Sequence, residues 1–220
     1  MMHFENQPSR SGLMNPRIYP INSEKSDATH ARLVFAAVLF ADIKGFTRFC
    51  QSVDPCVAFH TLSTFHQRMA KVVAEYSTTV TTNAGDEVMA AWCGTPSTVS
   101  STALRCGFAM LESIDAWNHE DVSFRPGLNI GVGLHAGPVI LGRIPSLRES
   151  RMSVFGDTVN TASRLEHMTR IYPTGLIASD ELVRVVCKHS PSETGINRLH
   201  SAITTTIRDR TGLLSIRIAI

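Results

Sequence analysis

Pairing is what the cysteines and histidines of this sequence lack. Its five cysteines (Cys50, Cys56, Cys93, Cys106, Cys187) form no CxxC pair, and its nine histidines show neither HxxxH nor HExxH spacing. The odd cysteine count, with most of these thiols in apolar-periodic segments, reads as reduced and buried thiols, and the missing spacings argue against a thiolate or imidazole metal centre. No apolar run approaches the ~20 residues that span a bilayer. The longest, Leu33 to Ala41, ends directly on Asp42. The first residues carry Glu5 and polar groups but no apolar signal core, so the expectation is a reduced, cytoplasmic protein. A net charge of +2 gives no sign of a nucleic-acid or membrane partner. A Walker loop, GxxxxGK[ST], is also missing, as is any internal repeat.

What is present reads as one domain. A chain of 220 residues with 43% hydrophobic content can bury a proper core. Residues 1–32 mix Pro, Ser, Asn and charge without periodicity and read as a flexible arm, leaving 33–220 as the folded domain. Leu33 to Ile43 is β-branched and aliphatic and predicts a buried central strand. Asp54-Pro55 predicts the capped start of a helix carrying Ala58, Leu62, Phe65, Met69, Val72 and Tyr76 on one face. Thr78 to Asn83 and Glu87 to Cys93 predict a hairpin, with Gly85 taking a positive φ. Thr95-Pro96 opens a helix with Val99, Ala103, Cys106, Met110, Ile114 and Trp117 in a stripe.

Two separate strands follow, Leu128 to His135 and Val139 to Ile144, the first with Gly131 and Gly133 marking close backbone approach. Met152 to Phe155 predicts another strand. Asp157 is the expected N-cap of a helix from Thr158 to about Arg170. Leu176 to Ala178, a helix from Asp180 to Cys187 and a strand from Leu213 to Ile220 complete the list. The β-α-β-β-α-β order predicts an α+β fold of ferredoxin-like type with C-terminal additions, its helices covering one face of an antiparallel-rich sheet.

Asp42 ends the first strand and Asp86 tips the hairpin, so that topology brings both carboxylates to one sheet edge. Oxygen donors of this kind suit Mg²⁺ or Mn²⁺. The plain alternative is a solvated strand-end Asp and an ordinary Gly-Asp turn. The stretch Ile43-Lys44-Gly45-Phe46-Thr47 lies at a strand–helix turn, where backbone N–H groups can cradle phosphate, although a purely structural turn reads as well. Asn160 and Arg164, four residues apart, share one helix face. They suit a sugar and a phosphoryl transition state, or else a solvated face with Arg164 paired to Glu166 or Asp157.

Four segments in order resemble the class III nucleotidyl cyclases, the adenylate and guanylate cyclase superfamily. They are Phe40-Ala41-Asp42-Ile43-Lys44-Gly45-Phe46-Thr47, Ala84-Gly85-Asp86-Glu87-Val88-Met89-Ala90, Gly131 to Val139, and Val154 to Glu166. The resemblance implies conversion of a nucleoside triphosphate to a 3′,5′-cyclic monophosphate. It implies two divalent ions (Mn²⁺ or Mg²⁺) held by Asp42, Asp86 and the Ile43 carbonyl, with Asn160 on the ribose and Arg164 on the transition state. It implies a head-to-tail homodimer with composite sites. Arg208 would meet the terminal phosphate where the family carries Lys, with Arg148 or Arg151 as further candidates.

Two positions depart from the purine-cyclase pattern: Thr82 replaces the base-reading Lys, and Ser153 replaces the usual Asp or Thr. Losing a charge-assisted donor weakens purine selection. The pattern resembles the bacterial pyrimidine cyclases of Pycsar anti-phage defence, so UTP-to-cUMP chemistry acting on a companion effector is expected. An adenylate or guanylate cyclase and an inactive cyclase-like regulatory domain are the alternatives. The GGDEF-type signature of diguanylate cyclases is missing.

Overall fold

The computed structural model describes residues 31–120, 127–145, 150–189, 195–206 and 212–219. Its elements are β1 (Arg32–Ile43), α1 (Phe46–Ser52), α2 (Pro55–Ala74), β2 (Val80–Ala84), β3 (Glu87–Cys93), α3 (Pro96–Glu120), β4 (Ile130–Ile144), β5 (Arg151–Phe155), α4 (Asp157–Met168), β6 (Leu176–Ser179), α5 (Asp180–His189), a 3₁₀ turn (Ile196–Arg198), β7 (Ile203–Thr206) and β8 (Leu213–Ile218). The sheet order is β2-β3-β1-β4-β6-β8-β7, with β5 paired to β4. The first four strands of that order are the ferredoxin-like arrangement, and all their pairings are antiparallel. The arm expected over 1–32 lies outside the described residues except for Ala31 and Arg32, and Arg32 already pairs with Leu141.

β1 is central because both of its faces are apolar. Ala37, Leu39, Ala41 and Ile43 pack under α2 and α3, while Ala36, Val38 and Phe40 pack with Ala162 of α4. Helices therefore cover both faces of the sheet, which corrects the one-face expectation. A strand buried on both sides needs cover on both sides. The α3 stripe is buried as its spacing predicts. Asp54 caps α2 by accepting from the Cys56 N–H at 2.8 Å.

Three further expectations are corrected. The two strands either side of Ala136-Gly137-Pro138 are one strand, β4. Pro138 falls between the stretch that pairs with β6 (132–134) and the stretch that pairs with β5 (140–144), so its missing N–H breaks neither ladder. Phe46 and Thr47 already belong to a helix, α1, whose N-cap is Gly45 at φ 74°. Gly156, not Asp157, caps α4, at φ 135°.

At the far end of the sheet Leu33, Ile140 and Phe155 stand at one register position across β1, β4 and β5. They are 70%, 37% and 47% exposed.

Candidate active site

Asp42 sits on the α4 side of β1, in register with Glu87 on one neighbour and Gly131 on the other. Asp86 occupies the second position of the two-residue β2–β3 turn, and Gly85 before it has φ 60°. The His66 ring on α2 meets the Gly85 carbonyl at 2.8 Å and ties this turn to the body of the domain.

The two acids share one corner. Burial, then a hydrogen bond with Asp42 and the charge of Asp42, push the Asp86 carboxyl up to about 6. Two carboxylates bond to each other only through a proton that one of them carries. With both ionised, the Asp42 Oδ1 atom is buried without a partner. A hard cation would satisfy that oxygen and relieve the repulsion, so the pair fits a divalent ion bound through oxygen. Among the described residues no cluster of three or more His, Cys, Asp or Glu side chains offers an alternative metal centre.

The second oxygen of Asp42 is taken. Arg170, just beyond α4, bonds Asp42 Oδ2 through Nη2 and both oxygens of Glu166 through Nη1, at 2.9 Å each. Glu166 is fully buried, and burial raises its pKa against the opposing pull of Arg170. Gly131 makes this approach possible. A Cβ there would lie 2.1 Å from Thr169 Oγ1 and 2.6 Å from Glu166 Oε1, and one on Gly133 would lie 2.1 Å from the Glu166 backbone N. The glycines read as marks of close approach thus seat α4 against β4.

Lys44 is committed elsewhere. Its ammonium donates to the carbonyls of Thr174 (2.6 Å) and Thr169 (3.0 Å), and its N–H donates to Asn129 O at 2.8 Å. Burial lowers its pKa, with Glu166 opposing. The backbone N–H and two of the three ammonium N–H bonds are thereby engaged within the chain. At the start of α1 the Gly45, Phe46, Thr47 and Arg48 N–H groups have no intrahelical acceptor, the first such bond running from the Phe49 N–H to Gly45 O.

Asn160 and Arg164 lie on the outward side of α4, opposite its buried Thr161, Ala162 and Leu165. The expected alternative pairing is absent: Glu166 is held by Arg170, and Arg164 pairs with no acid among the described residues. From Asn160 to the last residue of α4 is about 12 Å along the helix axis. The chain's own carboxylate corner is therefore at the other end of the helix from Asn160. Thr82 is exposed on β2, and β2 and β5 touch. Alternation along β5 sends Ser153 to the side opposite buried Val154. Arg151 is exposed on the same strand, while Arg148 and Arg208 lie outside the described residues.

A cavity of about 1250 Å³ opens on the other side of the sheet, among Ile43, Phe49, His60, Ile114 and Leu128. None of Asp42, Asp86, Asn160 and Arg164 lines it. Reasoning from sequence missed Arg170 and His66. A signal for Arg170 did exist, since it stands four residues after Glu166.

The model of a family described as the adenylate and guanylate cyclase catalytic domain matches residues 30–173. An adenylate cyclase of Anabaena cylindrica is 28% identical over 152 residues, which cover 67% of this chain and 30% of that protein. The germination-specific adenylate cyclase of Dictyostelium discoideum is 37% identical over 137 residues, covering 60% and 15%. The chain thus spans less than a third of the length of either. Among solved structures, the adenylyl cyclase CyaB of P. aeruginosa aligns with a TM-score of 0.73 at 18% identity, covering 86% of this chain and 95% of that one. The guanylyl cyclase Cya2 gives 0.72 at 22% identity, covering 86% and 93%. At such identities the structural likeness speaks for the fold.

Proposed function

The chain belongs to the adenylate and guanylate cyclase catalytic-domain family, and from that premise we propose that it closes a nucleoside triphosphate into a 3′,5′-cyclic monophosphate and diphosphate. The observation that carries this reading is the corner where Asp42 and Asp86 meet, with Asp42 Oδ1 buried and unpartnered.

Asp42 and Asp86, with the Ile43 carbonyl, would hold two divalent ions, Mn²⁺ or Mg²⁺. Such ions, when bound, favour the attacking 3′-oxygen and the leaving phosphates electrostatically. The Phe46 and Thr47 N–H groups take phosphate oxygens. Asn160 orients the ribose, and Arg164 meets the charge that spreads over the α-phosphoryl oxygens. Arg208 binds the terminal phosphate. The 3′-oxygen bonds to the α-phosphorus as the α–β bridging bond breaks, and the hydroxyl proton leaves to solvent.

The separation of Asn160 from the acids of the same chain supports a homodimer whose two sites each combine both halves. The exposed Leu33–Ile140–Phe155 stripe supports a self-association face. Among the described residues no helix is long and apolar enough to cross a membrane.

For the base, Thr82 and Ser153 support a pyrimidine, with UTP giving cUMP for a companion effector in anti-phage defence. The names of the relatives support the second reading, ATP or GTP. Incubating the purified chain with Mn²⁺ and each of ATP, GTP, UTP and CTP, with products identified by mass spectrometry, decides between them. Cyclic UMP as main product is expected. Clear preference for a purine refutes the pyrimidine reading, and no cyclic product from any of the four refutes the activity.

A further inference from the structure

Arg170 holds a position that a cation should hold. Asp42 and Asp86 would hold divalent ions through their carboxylate oxygens, and an oxygen already bonded to a guanidinium is not free for an incoming ion. Asp42 has one oxygen free and buried, Oδ1, and the other bonded to the Arg170 guanidinium. An ion that used Oδ2 would therefore require Arg170 to surrender it.

The surroundings are built for that exchange. Arg170 does not depend on Asp42 for its charge balance, because Nη1 holds both oxygens of the fully buried Glu166. Its side chain is 36% exposed, which leaves room to withdraw. Lys44 grips the carbonyls of Thr169 and Thr174 on either side of it, fixing the segment against the end of β1 while the guanidinium itself stays at the rim. Gly131, opposite Asp42, provides the space into which Glu166 and Thr169 fit.

We infer that Arg170 is the resident counter-cation of the metal-free site, occupying Asp42 Oδ2 in place of one of the two ions and setting the affinity at which that ion enters. This rests on the reading of Asp42 and Asp86 as the cation-holding pair. A guanidinium that instead braced Asp42 in its metal-binding rotamer would act in the opposite direction, so the sign of one measurement separates the two roles.

The measurement is Mn²⁺ binding by the full chain without nucleotide, read from the electron paramagnetic resonance signal of free Mn²⁺. Arg170→Met removes the competitor but strands Glu166 in the interior, so Arg170→Met/Glu166→Gln, which strands no buried acid, is measured beside it. The expected result is that the folded variants bind the weaker of two Mn²⁺ ions about tenfold more tightly than wild type, the scale of one charge-assisted hydrogen bond. Unchanged or weaker binding overturns the inference. Asp42→Asn separates the two levels. If it abolishes binding while the Arg170 variants match wild type, only the counter-cation role fails. If it binds Mn²⁺ as wild type does, the cation reading of the acids fails, and this inference with it.

Discussion

The corner around Asp42 and the outward face of α4 are built in opposite ways from the same helix. At the corner, charge is crowded and answered within the chain: Arg170 bonds Asp42 and Glu166, and Lys44 is tied to two carbonyls. On the outward face, Asn160 is exposed and Arg164 has no acid partner among the described residues. The contrast is that the chain pairs the charges around Asp42 internally and leaves Asn160 and Arg164 on an outward face, as the proposed division of the site between two protomers requires. On the proposed reading, Arg164 serves the site of a second copy of the chain.

That contrast predicts unequal consequences of substitution. Asp42→Ala should lower kcat by about a thousandfold or more while far-ultraviolet circular dichroism stays that of wild type. Arg170 keeps its Glu166 partner, so the change should register in activity rather than in folding. Retention of substantial cyclase activity would remove Asp42 from the site. Gly131→Ala should act the other way round, on the fold first. Its Cβ collides with Thr169 and Glu166, so denaturant unfolding should show a loss of about 2–3 kcal/mol. Arg164→Ala should stay within about 0.5 kcal/mol of wild type in the same assay. Equal losses at the two positions would erase the distinction between the regions.

A smaller effect concerns pH. Burial and the neighbouring Asp42 push the Asp86 carboxyl up to about 6 in the folded chain, against 3.8 for the free side chain. Between those values the folded chain holds a proton that the unfolded chain has released. The group therefore stabilises the metal-free fold at the acidic end, and that contribution is lost as pH rises through about 6. Mn²⁺ takes the ionised carboxylate, so its affinity should climb over the same interval. Thermal melts and Mn²⁺ titrations from pH 4.5 to 7.5 should show both trends, and Asp86→Asn should flatten them.

Local chemistry made much of this legible beforehand. The Asp54 cap, the Gly85 turn, the α3 stripe and the tight glycines of β4 each follow from a residue's own backbone or packing demands. The illegible parts depend on partners distant in sequence. Pro138 reads as a strand break until one knows that β5 and β6 take turns at its other edge. The position of α4 across the sheet from α2 and α3 follows from both faces of β1 needing cover. Arg170 meets an acid 128 residues away. Lys44 reads as a phosphate contact by its place in the loop, but the fold turns two of its three ammonium N–H bonds and its backbone N–H to Thr169, Thr174 and Asn129. The motif located Asp42, Asp86, Asn160 and Arg164. It did not tell which of them the chain would pair internally.

The most direct test of the divided site mixes two disabled chains. Asp86→Ala retains Arg164, and Arg164→Ala retains Asp86, so each mixed dimer has one intact composite site. With random pairing, equal amounts should recover about a quarter of wild-type activity, because half the dimers are mixed and each has one of its two sites whole. Mixed dimers that demonstrably form yet stay as inactive as either chain alone would contradict a site shared between protomers.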